Sequence, residues 1–453
     1  MDTKTQLARL GLFDSRVPRY TSYPTATHFA DGIGPAQFVD WLGQIAPDTE
    51  ISLYVHVPFC RRLCWFCACR TQGTQADAPV RAYVETLLAE IDILRQALPQ
   101  GVKLSRLHWG GGTPTLLPPD VMATLAKALF SVAPRGKTTE FSVEIDPNEI
   151  DAARLDALAG AGMNRSSIGV QDFDPEIQKA IGREQSFETT QDVVDALRDR
   201  GIMSLNADIL YGLPFQTGQK ITDSVQKLLS LNPDRVALYG YAHVPWMARR
   251  QNLIPTEALP TPEARLALFD TARRLFRWDN YAEIGIDHFA RPEDGLARAA
   301  RTGHLKRNFQ GYTDDTAPVL IGLGASAISR FPQGYTQNAS ATAQYQKAIR
   351  AGQFAANRGH AFRDDDLLRA RMIEMVMCDF EIDGQALQQE HTVSTQRLGA
   401  MYQAAQNAFP GMLERSADGA SLQIRPEGRP LTRMIARAFD GYEAPAGSHS
   451  IAT

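Results

Sequence analysis

The sequence predicts an α/β fold in which parallel strands alternate with helices, preceded by an N-terminal arm and followed by a mainly helical region. Between residues 51 and 292, short apolar, β-prone runs alternate with helical patterns, as in βαβ units. Most of these runs end in glycine or polar residues, and barrel active sites are built from such C-terminal strand ends. Six or more units indicate a complete or partial barrel, or a doubly wound sheet.

The predicted elements follow one another regularly along the chain. ISLYVHV (51–57) is apolar and β-prone and predicts the first strand, and DAPVRAYVETLLAEIDILRQAL predicts the helix after it. SRLHWGGGT predicts a strand that ends in a glycine turn, and PPDVMATLAKALFSV a helix that opens with proline, where a helix tolerates it. The remaining strand candidates are TEFSVEIDP, NRSSIGVQDF, IMSLNADILYGLP, DRVALYGYAHVP and YAEIGIDHFARP.

Three regions are predicted: an arm over 1–46, a β/α barrel over 47–330, and a mainly helical C-terminal domain over 331–453. The C-terminal region contains MLERSADGASLQIRPEG, which predicts a hairpin around Asp418–Gly419 and therefore a small β-wing. Packing and covering of the substrate are the expected roles of this wing. A winged DNA-binding element is the alternative, and it is disfavoured because basic residues are not clustered there.

The arm contains RYTSYPTATHF, which shows no clear helical or strand period. Tyr20, Thr21 and Tyr23 are expected to cover the barrel mouth and exclude water from it. Such exclusion protects reactive intermediates from side reactions.

The composition is that of an ordinary globular protein, with 453 residues, 44% hydrophobic and 22% charged. The net charge of −4 gives no electrostatic footprint for nucleic acid or an anionic membrane, so neither partner is expected. The stretch MDTKTQLARLGLFDSR lacks the apolar run of a signal peptide, and no stretch approaches membrane-spanning length. We therefore expect a cytoplasmic protein, a compartment in which disulfides are rare.

Four of the five cysteines lie within CRRLCWFCAC (60–69), and the fifth, Cys378, is expected in the core of a helical region. Cys60, Cys64 and Cys67 have C-x3-C-x2-C spacing directly after the first strand. A loop of this length can supply three thiolates to a [4Fe–4S] cluster. The fourth iron is then open, and it can bind the amino and carboxylate groups of S-adenosylmethionine.

A zinc site is the alternative, because a bare count of four cysteines is also typical of tetrahedral zinc held by four thiolates. The spacing favours the cluster instead. Structural zinc sites usually consist of two short knuckles separated by a longer span, whereas Cys69 lies only two residues after Cys67. Strain makes Cys69 a poor fourth ligand to the same ion.

This spacing is the signature of the radical S-adenosylmethionine superfamily, and the flanking motifs narrow the resemblance. YVHVPFCRRLCWFCAC, LHWGGGTPT, SVEIDP, GVQDF, YGLP, NFQGYTD and YTSYPT resemble the oxygen-independent coproporphyrinogen III oxidase (dehydrogenase) family from about residue 19 to 330. The resemblance implies a partial (β/α)6 TIM-like barrel of the radical SAM type with a helical C-terminal domain. It also implies that the fourth cysteine of C-x3-C-x2-C-x-C marks the true oxidases.

The resemblance implies one [4Fe–4S] cluster and two molecules of S-adenosylmethionine. The residues expected to contact the cluster-bound molecule are Tyr54, Gly111, Glu144, Ala242 and Ile328. Those expected around the second are Phe66, Gly112, Thr113, Gln171, Arg183 and Asp208.

Physical arguments support some of these roles and leave alternatives. The glycine triplet at 110–112 lets backbone groups approach a ligand closely, although a tight turn alone would also need it. Glu144 at a strand end can accept hydrogen bonds from ribose hydroxyls or be a solvated acid. Arg183 and Asp208 can equally form a surface ion pair, and Phe66 can be apolar packing.

Six residues are candidates for the chemistry itself: Tyr54, His56, Glu144, Cys69, Phe309 and Gln310. His56 should share a strand face with Tyr54, although a satisfied core histidine is at least as common. The resemblance implies that Cys69 faces away from the cluster yet matters for activity; a small buried hydrophobe is the alternative. Phe309 and Gln310 would line the substrate cavity or pack under the C-terminal domain.

The implied reaction is the oxidative decarboxylation of coproporphyrinogen III to protoporphyrinogen IX in haem biosynthesis. A 5′-deoxyadenosyl radical removes a β-hydrogen from a propionate, and loss of CO₂ and one electron leaves a vinyl group. Two propionates react, and the other two are expected to pair with basic side chains. A low-potential donor of flavodoxin or ferredoxin type, an unidentified electron acceptor and a monomeric state are also expected.

Three rival functions follow from the same motifs. A sister family of haem-binding chaperones shares the barrel and three cysteines, but it has H-N-x-x-Y-W in place of RNFQGYT at 307–313 and lacks the fourth cysteine and the YTSYPT arm. A radical methyltransferase and a zinc-structured binding protein are weaker alternatives. These discriminators favour the oxidase.

Overall fold

The computed structural model describes residues 3–363, 365–443 and 451–452. Its strands are β1 (Glu50–Val57), β2 (Phe59–Cys60), β3 (Gln72–Gly73), β4 (Lys103–Gly111), β5 (Arg135–Ile145), β6 (Arg165–Gln171), β7 (Ser204–Tyr211), β8 (Arg235–Gly240), β9 (Ala282–Ile284), β10 (His288–Ala290), β11 (Lys306–Asn308), β12 (Gly311–Thr313), β13 (Val319–Leu323), β14 (Ile328–Phe331), β15 (Gly334–Asn338), β16 (Ala356–Ala361), β17 (Glu381–Asp383), β18 (Leu413–Arg415) and β19 (Ser421–Ile424). Its helices are α1 (Thr3–Arg9), α2 (Pro35–Gly43), α3 (Ala78–Ala97), α4 (Pro119–Val132), α5 (Ala152–Gly160), α6 (Pro175–Ala180), α7 (Phe187–Asp199), α8 (Gly218–Ser230), α9 (Pro262–Trp278), α10 (Gly295–Arg301), α11 (Thr342–Arg350), α12 (Asp366–Asp379), α13 (Gly384–Glu390), α14 (Thr395–Ala408) and α15 (Thr432–Arg437).

The described residues form one large sheet with the strand order β16-β15-β14-β13-β1-β4-β5-β6-β7-β8-β10-β9. Neighbours from β13 through β8 are parallel, and the strands at both ends are antiparallel. Because this order has two ends, the barrel is partial. The structure thereby confirms the predicted α/β fold with strands and helices in alternation.

Two details differ from the sequence-based expectation. YAEIGIDHFARP is a hairpin of β9 and β10, not one strand, because the chain turns at Gly285, whose φ is +54°. The parallel set also gains β13 beside β1, with Tyr54 opposite Gly322. This apolar strand has only five residues and lies between loops. So short a segment does not show a clear helical or strand periodicity.

Strand β1 shows how the sheet positions the site. Leu53 and Val55 are buried in the main core, which lies between the sheet and the surrounding helices. The alternate residues Tyr54 and His56 face the other side, because side chains alternate along a strand. One face of β1 therefore stabilises the barrel while the other contributes polar groups to its interior.

Side-chain caps begin the helices on one side of the barrel. Asp151, Ser186 and Thr217 each accept a hydrogen bond from a backbone N–H in the first turn of α5, α7 and α8. These caps fix where each helix starts after its strand.

Within the described residues, no helix is both long and apolar enough to cross a bilayer.

A second core joins the N-terminal residues to the C-terminal helices. Tyr20 donates a hydrogen bond from its hydroxyl to Asp440 Oδ2 at 2.9 Å, and the Tyr23 hydroxyl accepts one from Gly441 N at 2.8 Å. The first 46 residues also contain α1 and α2, for which no clear period is visible in the sequence. The large sheet continues to Ala361, and the division of the chain at residues 46 and 330 stays a prediction.

A network of ion pairs crosses the barrel interior. Arg106 bonds to Glu140 at 2.8 Å and to Asp314 at 2.9 Å, and Arg235 bonds to Asp294 at 2.7 Å. These pairs tie β4, β5 and β8 to the segments after β10 and β12. Breaking one such buried pair leaves an uncompensated charge, so the network holds the β11–β12 hairpin in a fixed place.

Glu90 on α3 is a buried carboxylate held by three donors. Gly324 N and the Tyr345 hydroxyl donate to Oε2 at 2.8 and 2.7 Å, and Asn338 Nδ2 donates to Oε1 at 3.0 Å. Burial outweighs these bonds and raises the pKa of Glu90 to about 7. The group joins α3 to α11 and to the turn that follows β13.

We expect the Glu90→Gln variant to lose a pH dependence of stability. A raised folded-state pKa means that the native state holds its proton from pH 4.5 to about 7 while the unfolded chain ionises. Stability is therefore fully present below pH 4.5 and falls by up to about 3 kcal/mol as pH rises through 7. Urea unfolding across this range should show the slope in the parent chain but not in the variant, whereas Glu85→Gln, on the exposed side of the same helix, should retain it.

Candidate active site

The cysteine loop follows β1 directly and is held at both ends. Cys60 lies in β2, where its carbonyl accepts a hydrogen bond from Thr74 N at 3.0 Å, and β2 pairs with β3. In the middle of the loop, Trp65 N donates to Ile181 O at 2.9 Å. The loop is therefore anchored to the neighbouring β3 and to the end of α6.

The environment of the thiols fits an iron–sulfur cluster. Cys64 is buried, Cys60 and Cys67 are half-buried, and all three are free thiols. Arg183 Nη1 lies 3.7 Å from Cys64 Sγ, and the backbone N–H of Cys69 donates to Cys67 Sγ at 3.4 Å. Hydrogen bonds to the sulfurs and nearby positive charge are among the factors that tune such clusters.

The three thiols differ in acidity. Burial raises the pKa of Cys60 to about 11 and also raises that of Cys64, whereas a hydrogen bond from Cys69 lowers the pKa of Cys67 to about 6.

Among the residues that the structure describes, no three His, Cys, Asp or Glu side chains converge on the position of a single metal ion. A cubane binds each of three thiolates at a separate iron.

The glycine turn after β4 packs directly against the start of the cysteine loop. Gly112 N donates to Val57 O and Thr113 N to Phe59 O, both at 2.8 Å. A Cβ at Gly112 would lie only 2.5 Å from Phe59 O. The backbones at Gly112 and Phe59 are therefore so close that only glycine, which has no Cβ, fits at position 112. Gly111 has a φ of +112°, and a Cβ there would meet the His56 ring at 2.6 Å.

A chain of polar groups crosses from β1 to β5 beside this turn. The Tyr54 hydroxyl lies 3.0 Å from His56 Nδ1, and the Tyr54 ring stacks on His108 with the ring centroids 5.9 Å apart. His108 Nε2 lies 3.3 Å from Glu144 Oε1, and Gly111 N donates to Glu144 Oε2 at 3.1 Å. Tyr54, His56, Gly111 and Glu144 are thus brought together in one part of the barrel.

Two carboxyl groups in the barrel interior have opposite pKa shifts. Partial removal from solvent opposes ionisation of Glu144, yet the hydrogen bonds from His108 and Gly111 lower its pKa. Burial, and then the charge of Glu144, raise the pKa of Asp208 to about 7. Both line a cavity of about 880 Å³ in the barrel, counting the part open to solvent, which His108 and Gln310 also line.

Arg183 contacts one predicted cluster ligand, Cys64, and two further residues at strand ends. Its Nη1 contacts Cys64 and lies 3.1 Å from Asp146 Oδ2, and its Nη2 donates to Gly169 O at 2.9 Å. Gln171, at the end of the same β6, has a φ of +67°, which is uncommon for a residue other than glycine. Asp208 does not pair with Arg183, so the surface ion pair considered for these two residues is not formed.

Phe66 and Ala242 are linked by a residue that the sequence did not single out. Gln251 is fully buried, and its Nε2 donates to Phe66 O at 2.7 Å and to Ala242 O at 3.0 Å. Its Oε1 accepts from Val244 N at 2.6 Å. One amide side chain therefore joins the cysteine loop to the segment after β8.

The remaining candidates lie at different depths. The Ile328 backbone abuts Gly322, the partner of Tyr54 in the sheet, where a Cβ would lie 2.5 Å from Ile328 O. Gln310 is exposed at the turn between β11 and β12 and lines the barrel cavity. The neighbouring Phe309 packs edge-on against Tyr335, with centroids 5.8 Å apart, and Cys69 is exposed.

Sequence reasoning missed three residues of this region: His108, Gln251 and Arg250. His108 alternates with Trp109 on β4, so a polar residue two positions before the glycine triplet was the available signal. Arg250 donates through Nη2 to Thr71 Oγ1 at 2.9 Å, close to Cys69 O. Neither it nor Gln251 has a local signal, because their contacts are far apart along the chain.

We expect Gln251→Ala to loosen the cysteine loop. The substitution leaves Phe66 O, Ala242 O and Val244 N without their partner, and burying such a group unpaired costs about 1–3 kcal/mol. Limited proteolysis should cut the loop faster, and the thermal midpoint should fall. Asn252→Ala is the matched control, because this neighbouring side chain is exposed. Equal behaviour of the two variants would contradict the bridging role.

Comparison with known proteins supplies independent evidence. The family model described as the radical SAM superfamily matches residues 54–228. A protein of Paracoccus denitrificans (strain Pd 1222) named oxygen-independent coproporphyrinogen III oxidase is 64% identical over 452 residues, covering 100% of both chains. A protein of the same name from Escherichia coli (strain K12) is 37% identical over 438 residues, covering 96% of this chain and 95% of its own.

A solved structure shows the same fold. Coproporphyrinogen III oxidase from Escherichia coli, described as a radical SAM enzyme, superposes with a TM-score of 0.89 at 35% sequence identity. The match covers 95% of this chain and 100% of the other. The likeness therefore includes the N-terminal and C-terminal regions as well as the barrel.

Proposed function

Because this chain belongs to the oxygen-independent coproporphyrinogen III oxidase family of the radical SAM superfamily, we propose that it oxidatively decarboxylates coproporphyrinogen III to protoporphyrinogen IX. Two propionate side chains would each lose a hydrogen atom, CO₂ and one electron and become vinyl groups. The observation that carries this proposal is the anchored loop with Cys60, Cys64 and Cys67 at the rim of a barrel whose relatives match over the full chain.

Cys60, Cys64 and Cys67 would hold one [4Fe–4S] cluster. When bound, the cluster and S-adenosylmethionine supply the radical chemistry that removes the hydrogen atom. Arg183 would provide positive charge beside Cys64, and the Cys69 backbone N–H would donate to the Cys67 sulfur. Gly111 and Gly112 would let the bound groups lie directly against backbone.

We also propose two molecules of S-adenosylmethionine. Tyr54, Gly111 and Glu144, joined through His108, would contact the first, together with the nearby Ala242 and Ile328. Glu144 is suited to accept hydrogen bonds from ribose hydroxyls, because its lowered pKa keeps it ionised. The set proposed for the second is Phe66, Gly112, Thr113, Gln171, Arg183 and Asp208.

Substrate would enter from the rim and meet Gln310, whose side chain lines the barrel cavity. Phe309 and Cys69 would act at the same rim, with His56 and Tyr54 fixing the inner wall. The N-terminal arm would limit the access of water to this region. Arg19 on this arm already contacts the end of β8, where its Nη2 donates to Gly240 O at 2.6 Å.

The proposed reaction also needs an electron donor and an electron acceptor. A low-potential donor of flavodoxin or ferredoxin type would reduce the cluster, and a separate acceptor would take the electron from each substrate radical. We propose a monomeric, cytoplasmic enzyme. The haem-binding chaperone is less well supported, because relatives matching the whole chain carry the oxidase name.

The test is anaerobic turnover of the reconstituted protein with coproporphyrinogen III, S-adenosylmethionine and a chemical reductant. Pigment analysis should show vinyl groups in place of two propionates, together with released CO₂. Haem binding without vinyl product would support the chaperone, and a methylated pigment would support the methyltransferase. Stoichiometric zinc in place of iron would overturn every radical mechanism.

A further inference from the structure

A second cavity lies between the barrel, the N-terminal arm and the C-terminal helices. Its volume is about 1040 Å³, counting the part open to solvent. Apolar side chains form much of its wall: Leu12, Leu266, Phe269, Ile286 and Phe380. A bulky, partly apolar ligand fits such a wall.

Two guanidinium groups in this cavity bond to carbonyls and not to carboxylates. Arg19 bonds to Gly240 O through Nη2, and Arg433 donates to Val17 O, Pro18 O and Ala452 O at 2.5, 3.1 and 3.1 Å. In the part of the chain that the structure describes, neither group forms an ion pair with an Asp or Glu side chain. Their hydrogen bonds therefore do not neutralise their charge.

The acidic residues of the same wall are already engaged. Glu283 bonds to Arg273 at 2.8 Å, and Asp287 lies 2.7 Å from His288 Nδ1 and 3.6 Å from Arg307. The charge of Asp287 also attracts Arg19 and Arg433, but Asp287 is too far from either guanidinium group to form an ion pair with it. Asp270, the third acid, also has an interaction partner. An incoming anion would therefore meet the positive pair.

The two guanidinium groups repel each other. Burial, followed by the charge of Arg19, lowers the pKa of Arg433 to about 9. An anion between them would relieve this repulsion, and its bonds to arginine would be charge-assisted. The pair is therefore arranged for an anion that enters with apolar surface attached.

The cavity borders the rim of the barrel. Tyr211 and Gly240, at the ends of β7 and β8, line it. Ala242, a proposed contact of the first S-adenosylmethionine, is two residues beyond Gly240. A ligand that is anchored here at one end can therefore extend toward the proposed reaction site.

We infer that Arg19 and Arg433 bind the carboxylate of a propionate that does not react, so that this cavity holds the far side of the tetrapyrrole. The inference rests on the proposed function, which supplies the ligand. Coproporphyrinogen III has four propionates, of which two remain in the product, and an anchor at an unreacted group would orient the macrocycle. Arginine provides planar, bidentate recognition that suits a carboxylate.

The test compares Arg19→Gln with Arg16→Gln in the reconstituted holoenzyme. Arg16 lies on the same arm, but it is exposed, packs over the Trp246 ring and does not line the cavity. Losing a hydrogen bond to a charged group should raise the KM for coproporphyrinogen III about tenfold or more in Arg19→Gln, with little change in Arg16→Gln. Arg19→Lys should fall between them, and equal iron content and S-adenosylmethionine cleavage would show that each variant is folded.

A binding measurement separates this inference from the proposed function. The wild-type holoenzyme should bind coproporphyrin III more tightly than its tetramethyl ester, and Arg19→Gln should lose this preference. If the wild type makes vinyl product but Arg19→Gln keeps its KM and its preference, the site is wrong and the proposed function stands. If no vinyl product forms while the Arg19-dependent preference is seen, the carboxylate site stands and the proposed function is wrong.

Discussion

The Cys64→Ala variant should contain no intact [4Fe–4S] cluster after reconstitution, and its coproporphyrinogen III turnover should fall to background. Cys64 is the buried member of the proposed ligand set and lies 3.7 Å from Arg183 Nη1. Its loss would leave only two of the three proposed thiolate ligands, while Arg183 would keep its ion pair with Asp146. Because the cluster would supply the radical chemistry, none of the remaining groups can replace it.

Cys378→Ala is the matched control, because this thiol is also buried but lies on α12, away from the loop. It should reconstitute and turn over like the wild type. Iron and sulfide content, with the visible absorption of the cluster, measure the first effect directly. A Cys64→Ala protein with full iron content and turnover would exclude Cys64 as a ligand.

The second large effect is expected from Gly112→Ala. The new Cβ would lie 2.5 Å from Phe59 O and 2.9 Å from Phe59 C and N. These are backbone atoms, so relief requires moving the segment that leads into Cys60. We expect a loss of roughly 1–3 kcal/mol in the free energy of unfolding, as for overpacking, together with a reduced iron content.

Gly160→Ala is the control for the glycine effect itself. Nothing lies within 4 Å of a Cβ at Gly160, at the end of α5, so this variant should be as stable as the wild type or slightly more stable. Urea unfolding of the apoproteins and iron analysis after reconstitution measure both outcomes. If Gly112→Ala matched Gly160→Ala in both, the close approach of the two backbones would not be needed.

The barrel strands could be predicted from the sequence because each contains a short, β-prone run and ends in glycine or polar residues. The first strand of the barrel is an example. Both faces of β1 are largely buried, so its apolar residues are not confined to alternate positions. The strand β13 escaped detection, since five residues between loops contain too little pattern. The hairpin at Gly285 escaped because a single glycine inside an apolar run does not reveal a reversal.

The site divides in the same way. The spacing of Cys60, Cys64 and Cys67 is local, so it is visible in the sequence and needs no tertiary information. Gln251 and the pair Arg19 and Arg433 depend on contacts between residues far apart in the chain, such as Arg433 with Val17. Only the folded chain shows which groups these side chains contact and that Arg19 and Arg433 line one cavity.

The most direct test of the proposed activity is the ratio of CO₂ released to coproporphyrinogen III consumed, measured anaerobically in the wild type and in Cys64→Ala side by side. We predict two CO₂ for each molecule converted to protoporphyrinogen IX by the wild type, and none for the variant. A wild-type protein with an intact cluster that releases no CO₂, or a variant that releases as much as the wild type, would contradict this prediction.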